Sequence, residues 1–534
     1  MRLAQYFSRL RKYVIMGAVV VVMAALTAGC SLPAGQAPVQ NKTLTVSWNK
    51  EIGPLNPHAY NPNQMFAQAL VYEGLVQYDN GKVIPWLAES WIISPDGKEY
   101  IFTLRKDVKF ADGTPFNAAV VKQNFDTIMA NSKRHSWLEL IKQIRDTQVV
   151  DEHTFKLVLH NPYYPTLQEL SLVRPLRFLA PSAFPDNGST AEAIKKPVGT
   201  GPWVLAEHRP GEVAVFVPNE HYWGVKPRVD KLIVKIIPDS EARVAAFEKK
   251  EIDLIYGNGL ISVDAFKQLR DSKQYETKLS APLATRSLTI NSGQGPVRDL
   301  KVRQALAHAI DKDALVKGVF FGTEQKADTL FAVNVPYCNL GLIPYEYNGE
   351  KAGALLAAAG WKKVPGKEFR EKEGQVLEIE LAFEITNAIQ KSIAEVLQGD
   401  CKKVGIRLAL KGEESQAINQ RKTNGNFEIL FCDTWGAPYE PQYIACGAPV
   451  DVHAQSGLPM KAELDRKIVQ VLTGTDEAER QALFGSILSI LHEQAIYLPL
   501  TYLSNSAVYH KKLTGVTFLS SQYETAFDTI NFRQ

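Results

Sequence analysis

Histidines, cysteines and glycine-bracketed nucleophiles are where chemistry would first be legible in this 534-residue chain, which holds ten histidines and five cysteines. The histidines are scattered. None forms His-x-His or His-x-x-x-His, and no His-Cys cluster occurs, so a bare transition-metal ion finds no local set of nitrogen and sulfur ligands. Cys338, Cys401, Cys432 and Cys446 lack the short spacings of a zinc site. In an oxidising compartment they allow a disulfide, although buried free thiols are the plainer expectation. There is no Gly-x-Ser-x-Gly elbow, phosphate loop or His-Glu-x-x-His helix. Gly199-Thr200-Gly201 is followed by Pro202 and lacks the third glycine of a dinucleotide loop. The pattern argues for binding rather than catalysis.

The elements that position any site begin with an export signal. Arg2, Arg9, Arg11 and Lys12 precede the apolar run Val14 to Ala25, which is too short for a comfortable membrane span and suits a signal-peptide core. It ends in Leu26-Thr27-Ala28-Gly29-Cys30, which resembles a lipobox with Cys30 as the acylated residue. Residues 1–29 are therefore expected to be a signal peptide. Residues 30–41, rich in Ala, Pro, Gly and Gln, are expected to be the lipidated cysteine and a flexible tether. The remainder is expected to be extracytoplasmic, anchored to the cell membrane through Cys30. With 60 basic and 57 acidic residues the formal charge is only +3, which gives no electrostatic reason to expect nucleic acid.

Period-two alternation predicts strands at Leu44 to Trp48, Tyr100 to Leu104 and Thr154 to Leu159. Val302, Ala305, Leu306, Ala309 and Ile310 share one helical face, and Asp476 with Glu479 marks a helix start. Pro95-Asp96-Gly97 and Ala111-Asp112-Gly113 read as tight turns. Strand and helix signals are interleaved throughout, which predicts α/β lobes.

A longer pattern runs from Leu87-Ala88-Glu89-Ser90-Trp91 through Ser94-Pro95-Asp96-Gly97-Lys98 to Val108-Lys109-Phe110-Ala111-Asp112-Gly113-Thr114-Pro115-Phe116. Further segments are Gly199 to Trp203, Asn219 to Gly224 and Asp299 to Leu306. Together they resemble the signature of the peptide/nickel-binding receptors of ABC importers. That resemblance implies an α/β, two-lobed periplasmic-binding-protein-like fold with a hinge and an extra subdomain on lobe one. Lobe one would comprise residues 42–284 and 507–534, and lobe two residues 285–506. The implied partners are an importer permease and a small solute, with the receptor acting as a monomer and carrying no catalytic cofactor.

Five stretches are similar to the nickel-binding branch of that family: Gly53 to His58, Asn63 to Gln68, Arg134 to Leu140, Leu170 to Pro175 and Asp433 to Tyr439. In that branch the metal arrives inside a small carboxylate or histidine chelator. Matching positions imply Arg134 and Arg174 as carboxylate clamps, with Tyr60, Met65, Trp137, Trp435 and Tyr439 lining the cleft. The branch's metal-ligating histidine falls near Pro449 in this chain, and His453 is the imidazole that could replace it; Cys446 is a weaker candidate. A receptor for peptides or another small organic anion is the alternative on the same fold. Peptide-binding relatives carry an acid where this chain has Pro438, leaving Glu440 as the nearest carboxylate.

Overall fold

The computed structural model describes residues 42–59, 65–521 and 523–533. The expected signal peptide, Cys30, the tether and Tyr60 lie outside the described residues. Two large sheets organise the chain. The first has seven strands and is built around Thr43–Trp48, which pairs in parallel with Lys231–Ile236 and, at Val46, with Leu254–Tyr256. Val213–Pro218 and Trp203–Arg209 extend one side, and Ser506–Tyr509 and Glu276–Leu279 the other. The second has six strands in the order Gln325–Lys326, Tyr497–Leu503, Ala284–Ile290, Ile429–Phe431, Glu378–Glu384 and Arg407–Glu413. Every residue of Ala284–Ile290 and of Tyr497–Leu503 is buried, as expected of strands covered on both faces.

A separate four-stranded sheet, Ala88–Ile93, Glu99–Leu104, Thr154–Leu159 and Ile144–Asp151, forms the subdomain on lobe one. Phe102 pairs with Phe155 across it, and the helix Ala118–Ala130 lays Phe125 on Phe155 with ring centroids 5.1 Å apart. Asn117 starts that helix by accepting from the Val120 N–H. The other expected elements form too: Leu300–Ala309, and Glu477–Glu493 with Asp476 accepting from the Glu479 N–H at 2.8 Å. Among the described residues no helix is long and apolar enough to cross a membrane.

The chain passes from the seven-stranded to the six-stranded sheet after Glu276–Leu279 and returns before Ser506–Tyr509. These two passages are bonded to each other. The Ser280 N–H donates to the Asn505 carbonyl at 2.9 Å, the Asn505 N–H to Ser280 Oγ at 2.9 Å, and the Leu283 N–H to the Leu503 carbonyl at 2.9 Å. A double passage of this kind is a hinge: few residues, tied to each other by backbone bonds, joining two separately packed bodies.

Gly199 and Gly201 have a steric role here rather than a phosphate-binding one. The Gly201 N–H donates to the Val71 carbonyl at 2.9 Å, closing the C-terminal end of the short helix Met65–Val71. A Cβ on Gly199 would stand 2.1 Å from that same carbonyl oxygen. Backbone cannot retreat as a flexible side chain would. Gly199→Ala is expected to destabilise the protein by at least about 1–3 kcal/mol, the usual cost of overpacking, and to disturb the helix that carries Met65. Urea unfolding measures this, and an unchanged midpoint would show that the contact relaxes freely.

Candidate functional site

The first strand ends at Trp48, whose ring stacks on Phe66 with centroids 3.8 Å apart, so the strand end and the helix Met65–Val71 form one corner. Beyond that corner lies a cavity of about 410 Å³. Trp48, Lys50, Met65 and Arg174 line one part of it, and Tyr256, Asn258, Asn505, Glu524 and Thr525 another. Asn258 is held by its amide, which donates to the Ser504 carbonyl at 3.0 Å, so this wall is continuous with the hinge passage. Among the described residues Thr525 Oγ1 is buried and finds no hydrogen-bond partner.

Arg174 is only 7% exposed, and its Cζ lies 5.2 Å from the centre of the Trp137 ring. From Trp137 a series of rings continues into lobe two. Trp137 to Tyr439 is 6.4 Å, Tyr439 to Trp435 is 5.3 Å with the planes nearly perpendicular, and Trp435 to Tyr443 is 5.2 Å with the planes nearly parallel. A guanidinium over an indole contributes about 0.5–2 kcal/mol. Each aromatic pair adds about 0.5–1.5 kcal/mol beyond its area. The side chains of Arg174, Trp137, Tyr439 and Trp435 thus form one connected seam, and Met65 lines the same cavity as Arg174.

Two of the implied residues stand apart from the seam. Arg134 is exposed, and its Nη1 donates to the Ala191 carbonyl at 2.6 Å. His453 lies on the helix Pro449–Gln455, where its Nε2–H donates to the Thr423 carbonyl at 3.0 Å. Its other nitrogen, the one able to hold a metal, packs on Gly425, where an added Cβ would lie 2.5 Å from Nδ1. Neither residue lines the cavity at Arg174. Cys446 donates its thiol to the Gln442 carbonyl at 3.4 Å and touches the Tyr163 hydroxyl at 3.6 Å; burial pushes its pKa up to about 12. All four described cysteines are free thiols. Among the described residues no group of three or more His, Cys, Asp or Glu could hold a metal ion.

Other titratable groups near the seam are structural. His58 sits in the core between Thr190 Oγ1, at 3.0 Å from Nδ1, and the Arg177 carbonyl, at 3.2 Å from Nε2. Burial lowers both its pKa and that of His135 to about 4, so both rings are neutral at physiological pH. Glu440 is buried and accepts from the Thr434 hydroxyl and, at 3.0 Å, from the Gly436 N–H. Thr434 Oγ1 in turn accepts from the Thr285 N–H at 2.7 Å. These bonds fasten the loop bearing Trp435 and Tyr439 to a central strand, and Gly436 takes the positive φ of 76° that the loop requires. Burial raises the Glu440 carboxyl to about 7 against those hydrogen bonds. Glu440 is therefore a loop anchor, not a free carboxylate facing the cavity.

Lys50, Asn258, Asn505 and Thr525 were not singled out by the sequence. They come from a strand end, a turn and two segments near the C-terminus, and no local spacing links them.

The geometry agrees with what the chain resembles. Residues 82–447 match the family described as bacterial extracellular solute-binding proteins, family 5 middle. The chain is 46% identical over 493 residues to the nickel-binding periplasmic protein of Escherichia coli (strain K12), covering 91% of this chain and 94% of the relative. It is 27% identical over 502 residues to the dipeptide-binding protein of the same organism, covering 89% and 91%. Among solved structures, NikA from Brucella suis in complex with Fe(III)-EDTA superposes with a TM-score of 0.89 at 49% identity, over 92% of this chain and all of that one. Matches on this scale leave no doubt of kinship, and the chain belongs to the bacterial extracellular solute-binding proteins of family 5.

Proposed function

We propose that this protein is the extracytoplasmic receptor of an ABC importer and captures nickel, or a related transition metal, as a small carboxylate or histidine chelate. The observation that carries the reading is Arg174, buried on Trp137 at the edge of a roughly 410 Å³ cavity and joined through Tyr439 and Trp435 to the opposite lobe. A guanidinium there meets a carboxylate through paired N–H donors, and the aromatic walls keep water out. The metal's coordination comes from the chelator, since the described residues that line the cavity offer no imidazole or thiol. The names of similar proteins support a metal chelate: one binds nickel and another was crystallised with Fe(III)-EDTA.

Closure is the mechanism. A ligand that touches Arg174 on lobe one and Trp435 or Tyr439 on lobe two favours the closed state by its differential contacts. Lobe one is residues 42–284 and 507–534, and lobe two is 285–506. Residues 1–29 are removed as a signal peptide, acylated Cys30 ties the receptor to the cell membrane by the tether 30–41, and the receptor works as a monomer with a permease. Tyr60, five positions before Met65, is a further ligand-binding residue that the family resemblance implies.

The test is tryptophan fluorescence with nickel alone, nickel with histidine, nickel with citrate, and a mixed peptide pool. A response confined to chelated nickel supports the reading, whereas a response confined to peptides replaces it with the peptide receptor. Arg174→Ala is expected to weaken chelate binding more than about tenfold, the loss of one charged hydrogen bond, while the protein stays folded. An unchanged affinity would place the clamp elsewhere.

The loop anchor gives a pH signature. Glu440 titrates near 7 in the folded protein and at its lower ordinary value when unfolded, so its carboxyl favours the folded state while protonated. That contribution is complete below the ordinary value and disappears as pH rises through about 7. Glu169 and Asp451, also raised to about 7 by burial, act in the same direction. Glu440→Gln is expected to flatten the fall in thermal stability between about pH 5 and 8. Parallel profiles for the two proteins would show that Glu440 does not titrate in this range.

A further inference from the structure

We propose that Tyr164 and Arg480 are positioning residues for lobe closure. Tyr164 of lobe one enters a socket on lobe two, where the Arg480 guanidinium covers its ring, and this latch holds part of the closed state whether or not ligand is present. The inference rests on the reading of the protein as a receptor that works by closure, and adds a contact that favours closure without touching the ligand.

Tyr164 follows the subdomain strand Thr154–Leu159 and precedes the helix Thr166–Leu170. Its N–H donates to the Leu472 carbonyl at 2.7 Å, a bond that crosses from lobe one to lobe two. Arg480 Cζ lies 4.1 Å from the centre of the Tyr164 ring, and Phe484 meets that ring edge-on at 6.1 Å. Glu477, Arg480 and Phe484 are three and then four positions apart on the helix Glu477–Glu493, so one helical face builds the socket. Each half is fastened within its own lobe. Arg480 is buried, pairs with Glu477 and donates from Nη2 to the Gly474 carbonyl at 2.8 Å. Tyr337 stacks on Phe484 with centroids 4.9 Å apart and donates its hydroxyl to Glu477 Oε1 at 2.9 Å. On lobe one, Gln168 Nε2 donates to the Tyr164 hydroxyl at 3.0 Å, which donates in turn to the Tyr337 hydroxyl at 3.1 Å. Opening therefore parts Tyr164 from Leu472, Tyr337 and Arg480, while Arg480 keeps its carboxylate partner. Tyr164 and Arg480 line a different cavity, of about 470 Å³, and neither lines the one at Arg174. A contact of this kind raises the affinity of every closing ligand by one common factor, because it changes only the population of the competent state.

Hydrogen exchange of the ligand-free, full-length protein in detergent, read by mass spectrometry, is the first test. Arg480→Met, a change in lobe two, is expected to speed exchange about threefold or more in the lobe-one segment 160–170 and in the seam segment 433–440, with the strands 44–48 and 378–384 still protected. Titration calorimetry of the same protein with nickel(II) citrate and nickel(II) bis-histidine is the second. Arg480→Met and Tyr164→Leu are each expected to weaken both complexes by one shared factor of about threefold or more, and the double variant to lose no more than the stronger single one. Tyr164→Phe, which keeps a ring under Arg480, should retain most of the affinity. Exchange that changes only at 160–170, or affinities that stay at the wild-type value, overturn the latch. Losses that differ between the two complexes overturn it too, since they would make these residues ligand contacts. A wild-type protein that binds neither complex overturns the chelate receptor, and the exchange result then decides the latch alone.

Discussion

Ser280 and Asn505 bond to each other where the chain passes between its two large sheets, and the site depends on that tie. Each sheet packs its own core: one with Leu44, Val46 and Leu232, the other with Leu288, Ile379 and Leu498. Two short passages, at 280–283 and 504–505, fix where one body begins relative to the other, together with contacts such as the Tyr164 N–H bonded to the Leu472 carbonyl at 2.7 Å. Asn258 reaches the second passage through the Ser504 carbonyl, so the cavity wall and the hinge are parts of one hydrogen-bonded unit. A change of angle at the hinge consequently changes the cavity's shape directly.

Across the cleft the contact is largely aromatic, with a backbone bond from the Tyr164 N–H to the Leu472 carbonyl at 2.7 Å, and the anchoring behind it is polar. Trp137 meets Tyr439 with the planes tilted, a pair that adds about 0.5–1.5 kcal/mol beyond its buried area. Glu440 holds the second-lobe part of this seam from behind, by bonds to Thr434 and the Gly436 backbone that do not cross the cleft. The division makes physical sense. Bonds that shape a loop must persist in every state, whereas those between lobes must be weak enough for a ligand's contacts to decide the equilibrium.

Among the described residues no imidazole or thiol lines the cavity, which follows from where the candidates fold. His453 spends one nitrogen on the Thr423 carbonyl and presses the other on Gly425. Cys446 faces Gln442 and Tyr163.

Much of the architecture was legible beforehand because it is local. Alternating apolar residues at Leu44 to Trp48, the helical face from Val302 to Ile310 and the cap at Asp476 each carry their periodicity or hydrogen bond within a few residues. The resemblance supplied Met65, Trp137, Arg174, Trp435 and Tyr439, which the fold gathers at the seam and its cavity. It also supplied Arg134 and His453, which the fold turns to the Ala191 and Thr423 carbonyls. A one-dimensional match fixes the position of a residue but not the direction of a long side chain, which is set by neighbours distant in sequence. The same reason hid Lys50, Asn258, Asn505 and Thr525: they share a cavity but no spacing. Composition and motif by themselves determined the fold class, the family and the lack of a local metal or catalytic motif. Only the tertiary structure decided which charges face the cleft, because that depends on how the two sheets and their hinge bring separate segments together.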